Sequence, residues 1–191
     1  MESVKILMKE HDHILRMLDV VHKACLMVLG GEAVPDEDFK LMIDFIRKYA
    51  DQTHHGKEEE YFFRAMLDEL GPVAEKLIRN GMLVEHDLGR LYVSDLEQAL
   101  TSYQKQPENN NKLAILVAAG SYEQLLRRHI QKENEVVFTF GKKQLPSKSA
   151  AWVEDGFKSF EADAGNSQER EHQLMILDQL ECKYLPGNTE K

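Results

Sequence analysis

Six histidine and glutamate side chains recur at matched positions in the two halves of this 191-residue chain. They are His11, His55 and Glu59 in the first half and His86, His129 and Glu133 in the second. The offset between the halves is nearly constant, since 86 − 11 is 75 and 129 − 55 is 74. A repeat of this kind predicts that an approximate two-fold axis relates the halves and gathers these polar side chains around one point.

The types and spacing of these residues predict a metal centre. Residues four apart on a helix share a face, so His55 pairs with Glu59 and His129 pairs with Glu133. Four imidazoles and two carboxylates in a helical core are costly as free charges, and coordination of cations lowers that cost. Nitrogen and oxygen ligands without thiolate suit iron, manganese or zinc, and this number of ligands suits two bridged ions. No catalytic side chain and no organic cofactor site are predicted.

The elements that must position these residues are predicted to be long helices. The chain has only 5 prolines and 11 glycines, and most of them fall at a few pauses. Between the pauses, apolar residues recur at three- and four-residue steps, which is typical of amphipathic helices. Helices are predicted over residues 3–29, 36–70, 72–103, 111–140, 150–160 and 168–184.

Short connections between the first four helices predict an all-α fold, an up-down-up-down antiparallel four-helix bundle with a helical C-terminal extension. Residues 1–145 are assigned to the bundle. Residues 146–191 are assigned to the extension, which is expected to pack on the bundle or on a partner.

The composition argues against several kinds of partner and site. Lys and Arg number 24 against 33 Asp and Glu, for a formal charge of −9, which disfavours binding to nucleic acid or to an anionic membrane. Cys25 and Cys182 lie far apart, so neither a disulfide framework nor a thiolate zinc site is expected. Residues 1–30 carry charges among their apolar positions and are not expected to form a signal peptide or a membrane span. A cytoplasmic location is predicted.

Four motifs together resemble the hemerythrin-like, HHE cation-binding domain of the bacterial type, with its pattern H…HxxxE…H…HxxxE. They are Glu10-His11-Asp12, the run from His54-His55 through Glu58-Glu59, Glu85-His86-Asp87, and His129-Ile-Gln-Lys-Glu133. The resemblance covers residues 1 to about 145. It implies two non-haem iron ions, bridged by Glu59 and Glu133 and by an oxo or hydroxo group. It also implies that His11 and His55 serve one iron, and that His86 and His129 serve the other.

The sequence departs from the oxygen-carrying hemerythrins at two places. Those proteins have a fifth histidine one turn beyond the third-helix ligand, and here that position, four after His86, is Arg90. Their last carboxylate is an aspartate one residue further from its histidine, whereas Glu133 stands four after His129. Each metal is then expected to keep an open position, unless Glu58, Tyr61 or His13 supplies a further ligand. Binding, sensing or reaction with O2, peroxide or nitric oxide is therefore predicted in preference to simple reversible oxygen carriage.

Alternatives remain open at this point. An enzyme of this kind would be a di-iron oxidoreductase acting on peroxide or nitric oxide, and a non-enzyme would be a sensor or a metal-storage bundle. Zinc or manganese in a structural role is the other metal-binding alternative. Formation of a homodimer is a further alternative that the sequence leaves open. The sequence does not indicate an electron donor.

Neighbouring polar residues are given less prominent roles. His54, beside His55, is expected to lie outside the metal ligands, and His13 competes with His11 for the position in the first helix. Glu58 and Glu60 are expected on a solvated face, because only Glu59 of the Glu58–Glu60 run lies four after His55.

Overall fold

The computed structural model describes residues 1–186, which contain six helices and no strand. Helices α1, α5 and α6 span Glu2–Leu29, Ser147–Ala162 and Ala164–Tyr184, and helices α2, α3 and α4 span residues 36–69, 71–105 and 109–144. The all-α prediction is confirmed, with boundaries that differ by a few residues. Within residues 1–186, the two positive-φ residues are glycines, Gly31 in the connection after α1 and Gly71 at the first position of α3, where the chain reverses in a conformation that glycine adopts at little cost.

The first four helices run antiparallel in sequence order. In α1 and α2, Glu10 contacts His54 and His13 contacts Tyr49, so the residue number falls in one helix as it rises in the other. The same reversal relates α2 to α3 through Arg47–Glu97 and Asp51–Arg90, and α3 to α4 through Glu85–Lys132 and His86–His129. The connections are short, as the sequence indicates, and this is the geometry of an up-down-up-down bundle.

The apolar core is divided into two clusters along the bundle. The larger cluster contains Leu18, Phe45, Tyr49, Val93 and Leu126 among others. The smaller cluster contains Leu7, Phe62, Phe63, Phe138 and Phe157 among others. In α1, α2 and α3, the buried histidines and glutamates lie between the residues of the two clusters, and in α4 His129 and Glu133 flank Ile130, the last α4 residue of the larger cluster. The polar layer is therefore enclosed by apolar side chains on both sides along the bundle axis.

Three of the bundle helices widen locally from α-helix to π-helix. In α2, an α-helical start at Asp36–Phe45 is followed by π-helical segments at Ile46–His55 and Glu58–Phe62 and an α-helical end at Phe63–Glu69. In α3 and α4, the π-helical segments are Ile78–Met82 and Glu133–Val137. Such i to i+5 segments are rare and concentrate at functional sites. Periodicity alone predicts uninterrupted α-helices here, so the widening is a finding of the structure.

The C-terminal extension packs on the bundle, against α1 and α2. The carboxylate of Glu154 in α5 accepts a hydrogen bond from the Ser3 hydroxyl at 2.8 Å. In α6, Glu181 pairs with Arg16, and the Tyr184 hydroxyl donates to Asp38. Of the two positions predicted for the extension, on the bundle or on a partner, its described part takes the first.

Candidate metal centre

Seven buried side chains form two adjoining clusters of potential ligand atoms. One cluster contains His55, Glu58, His86 and His129, and the other contains His11, His54, Glu58 and Glu133. Within each cluster the ligand atoms lie within 4.8 Å of one another. Glu58 belongs to both clusters. Helix α1 supplies one of the seven side chains, α2 three, α3 one and α4 two.

Each carboxylate at the centre directs its two oxygens towards different histidines. The Oε1 of Glu58 lies 3.5 Å from Nε2 of His54, and its Oε2 lies 3.6 Å from Nε2 of His86. The Oε1 of Glu133 lies 3.2 Å from Nε2 of His129, and its Oε2 lies 3.2 Å from Nε2 of His11. Both carboxylates therefore place one oxygen in each half of the centre, which is the placement that a bridge between two cations requires.

Most of these ligand atoms lack a hydrogen-bond partner among the residues that the structure describes. They are the Nε2 atoms of His11, His54 and His55 and both carboxylate oxygens of Glu58 and Glu133. Buried polar groups are rarely left unpaired, because each unpaired group costs free energy of desolvation. The remaining two ring nitrogens, Nε2 of His86 and of His129, face each other at 3.1 Å. Cations placed among these atoms would satisfy them, so the residues fit a metal centre.

Each of the five histidines is held in its orientation by a hydrogen bond at Nδ1, the ring nitrogen that faces away from the centre. The Nδ1 atoms lie 2.9 Å from Asn134 Oδ1 for His11, 3.0 Å from Glu10 for His54, 3.3 Å from Asp51 for His55, 2.7 Å from Glu59 for His86 and 3.0 Å from Glu85 for His129. These oxygens accept, so Nδ1–H donates and Nε2 of each ring points into the centre, where it can offer a lone pair when it carries no proton. Metal-ligating histidines are generally oriented in this way.

In the metal-free centre, burial and neighbouring charges shift the pKa values of the two carboxylates in opposite directions. Burial, reinforced by the neighbouring charge of Glu133, raises the pKa of Glu58 well above its usual range. Burial opposes ionisation of Glu133 as well, but the imidazoles of His129 and His11 outweigh it and hold the Glu133 pKa well below its usual range. Burial also disfavours the charged form of His129, yet Glu133 and Glu85 raise its pKa to about 9. Metal binding to these side chains would therefore be coupled to the release of protons.

The comparison with protein families agrees with this arrangement. The model of the hemerythrin HHE cation binding domain matches residues 2–140, a range that includes all seven side chains of the centre. The chain belongs to this family. It is a metal-binding helical protein, and the family resemblance noted from the sequence is confirmed. No curated protein and no solved structure gives a significant match. Within residues 1–186, no helix is both long and apolar enough to cross a membrane.

The structure brings five of the six predicted ligands of this HHE domain together and leaves one outside. His11, His55, His86, His129 and Glu133 lie in the two clusters. Glu59 does not, because its carboxylate turns away to Nδ1 of His86 and to Arg90, each at 2.7 Å. These two hydrogen bonds outweigh its partial burial and lower the pKa of Glu59 to about 2. Glu58, whose side chain is fully buried rather than solvated, lies in both clusters instead, and we propose it as the ligand in place of Glu59.

His54 also enters the centre, contrary to the expectation that it lies outside the ligands. In a π-helical segment successive side chains are separated by a smaller angle than in an α-helix, because more residues make up each turn. His54 and His55 therefore both face inward. Glu58, four residues after His54, faces inward as well. A signal for this assignment is present in the sequence. The differences 86 − 11, 129 − 54 and 133 − 58 are all 75, whereas the pairing with His55 gives 74.

The distribution of histidines between the clusters also differs from the one implied by the resemblance. His11 shares its cluster with His54, and His55 joins His86 and His129. A fifth imidazole is thus present, but α2 supplies it through His55. Arg90 lies at the surface and pairs with Asp51 and Glu59. The centre is therefore asymmetric, with three histidines in one cluster and two in the other.

A cavity of about 210 Å³ opens beside the three-histidine cluster. Its lining includes His55, His86, Gly89, Arg90 and Tyr122. The space is large enough for a molecule of a few atoms and small for an organic substrate. Its lining extends from His55 and His86 to Arg90, whose side chain is 40% exposed.

Proposed function

We propose that this chain binds two iron ions at the paired clusters and that the centre binds, senses or reacts with O2, peroxide or nitric oxide. The observation that carries the proposal is the position of the Glu58 and Glu133 carboxylates between the two halves of the centre. Each carboxylate directs one oxygen into one half and its second oxygen into the other half. A single ion would leave half of these oxygens without a partner. Two ions use them all.

The ligand set supports iron as the metal. Five imidazoles and two carboxylates provide nitrogen and oxygen donors, and neither Cys25 nor Cys182 belongs to the clusters. This set suits iron, manganese or zinc and disfavours thiolate-dependent sites. Iron ions bound here would supply the electrons and open coordination positions that small oxidants and diatomic molecules need.

The chain's own residues would orient and enclose the centre. The hydrogen bonds at Nδ1 hold each imidazole in one tautomer and one orientation. Phe62, Phe63 and Phe138 are fully buried beside the clusters and exclude bulk water from that end of the centre. The His11–His54 cluster has one histidine fewer, so we expect the exogenous ligand to bind to the metal held there.

The decisive experiment combines metal analysis with spectroscopy. Protein purified from iron-replete cells is expected to contain two iron ions per chain and to show near-ultraviolet charge-transfer absorption that is lost on chelation. Zinc or manganese at full occupancy, or one ion per chain, would contradict the proposal. A turnover assay then separates the function classes. Catalytic loss of peroxide or nitric oxide would identify an enzyme, and a spectral change without turnover would identify a carrier or sensor.

A further inference from the structure

Lys57 is a fully buried cation at the junction of the bundle and the C-terminal extension. None of its side chain is exposed to solvent. Its ammonium pairs with Glu10 of α1 and lies 2.7 Å from Oε1 of Glu161 in α5. The rings of Phe157 and Phe160, also in α5, have their centres 5.7 and 5.4 Å from Nζ. The extension therefore supplies a carboxylate and two aromatic faces to this one ammonium group.

Glu10 connects Lys57 to the metal centre. Its Oε1 pairs with Lys57, and its Oε2 accepts the hydrogen bond from Nδ1 of His54 at 3.0 Å. Glu161 is held in turn by Arg170 of α6. A continuous chain of charged contacts thus leads from the extension, through Glu161, Lys57 and Glu10, to a histidine of the two-histidine cluster.

The other half of the centre has the same inner contacts without the extension. Lys132, Glu85 and His129 lie 75 residues after Lys57, Glu10 and His54. Lys132 pairs with Glu85, and Nδ1 of His129 donates to Glu85 at 3.0 Å. Half of the Lys132 side chain is exposed, so water can solvate its ammonium group.

We propose that Glu161 is a positioning residue through which the C-terminal extension sets the metal affinity of the His11–His54 cluster. The inference rests on the proposed two-metal centre. A buried ammonium needs anionic partners, because water that would otherwise solvate it is excluded. Without the charge of Glu161, Glu10 becomes the remaining carboxylate for Lys57 and is drawn towards it. The Nδ1–H of His54 then loses its fixed acceptor, and its Nε2 is no longer held in the direction of the metal.

The test compares Glu161→Gln with Glu154→Gln. Both changes remove one carboxylate charge from α5, and both residues contact the bundle, but Glu154 bonds to Ser3 at the start of α1 rather than to Lys57. In the metal-free protein, nitrogen-15 spectra of labelled histidines are expected to show a changed His54 imidazole in E161Q and an unchanged His129. In a titration with Mn²⁺, E161Q is expected to weaken one of the two binding steps by up to about 10-fold, the lower end of the effect of losing the direct hydrogen-bond partner of a metal ligand.

The outcomes separate positioning from simple docking of the extension. Wild-type values for E161Q in both measurements, or equal effects of E154Q and E161Q, would overturn the proposal. If E161Q fails to fold by circular dichroism, Arg170→Gln replaces it, because Arg170 holds Glu161 from its more exposed side and a smaller shift of the His54 signal is expected. Absence of metal binding in the wild type would instead contradict the proposed function, and the metal-free spectra would still test the role of Glu161.

Discussion

His55 in α2 and Ile130 in α4 occupy equivalent positions 75 residues apart, and the two halves of the metal centre differ at this pair. The imidazole of His55 lies in the cluster with His86 and His129, whereas Ile130 is buried in the larger apolar core. The other ligands obey the repeat, as His11 matches His86, His54 matches His129 and Glu58 matches Glu133. One substitution in an internal repeat thus converts a symmetric four-histidine arrangement into one with three histidines on one side and two on the other.

Replacing His55 by isoleucine, which copies the other half, is expected to lower the metal content from two ions per chain towards one. The variant removes a buried nitrogen that has no hydrogen-bond partner among the described residues and leaves the His11–His54 cluster intact. Elemental analysis after gel filtration measures the change. The matched control is His13→Ala. His13 lies outside the two clusters, and its Nδ1 is 2.6 Å from the Tyr49 hydroxyl. Equal metal loss in both variants would contradict the assignment of His55.

The adjacent glutamates Glu58 and Glu59 are expected to respond differently to replacement by glutamine. E58Q should lose both metal ions, because the two oxygens of Glu58 lie in different halves of the centre. E59Q should retain two ions and bind one of them about 10-fold more weakly, because Glu59 acts only through Nδ1 of His86. Competition with a chelator measures both affinities. The opposite result would return the ligand role to Glu59.

Raising the pH from about 6.5 to 9 is expected to lower the free energy of unfolding of the metal-free protein. The pKa of His129 is raised to about 9 in the folded state, because Glu133 and Glu85 outweigh the effect of burial. A group with a raised pKa contributes its full stabilisation below its unfolded value, near 6.5, and loses it as the pH rises through the folded value. The loss is on the order of 2 kcal/mol.

Urea unfolding at a series of pH values measures this effect. His129→Gln is the control, because it removes the titrating group and should flatten the dependence on pH within this window. A wild-type stability that is constant or rises between pH 6.5 and 9 would show that His129 does not hold the extra proton.

Two helical glycines are expected to respond in opposite directions to replacement by alanine. A Cβ at Gly141 would lie 2.6 Å from the Phe62 ring and 2.8 Å from the Met66 sulfur, so G141A should destabilise the fold by about 1–3 kcal/mol through overpacking. A Cβ at Gly120 would meet no atom within 4 Å, so G120A should stabilise it by up to about 1 kcal/mol through higher helix propensity. Thermal unfolding of the metal-free proteins measures both changes. Destabilisation by G120A would contradict the open space at that position.

The helices of this protein could be predicted from the sequence because their signals are local. Apolar residues at three- and four-residue steps, together with proline and glycine between them, place α1 over residues 3–29 and the structure gives Glu2–Leu29. The repeat also places His11 and His86 in equivalent helices, which the bundle brings together. Family membership follows from the same motifs. These properties depend on residue types and spacing within single helices, so no tertiary information is needed.

The tertiary structure decided how many side chains of each adjacent pair face the centre, because the offset of 75 favours His54 and Glu58 but does not indicate that His55 also enters. His54 and His55, like Glu58 and Glu59, are adjacent on α2, and a fixed α-helical period allows only one of two registers to be chosen. The π-helical segments of α2 turn both histidines inward, while Arg90 and His86 draw Glu59 outward. The contact between the extension and Lys57 is likewise formed by residues far apart in the chain. Which side chains face the centre and which contacts the extension makes depend on the packing between helices. The residue pattern of a single helix does not determine that packing.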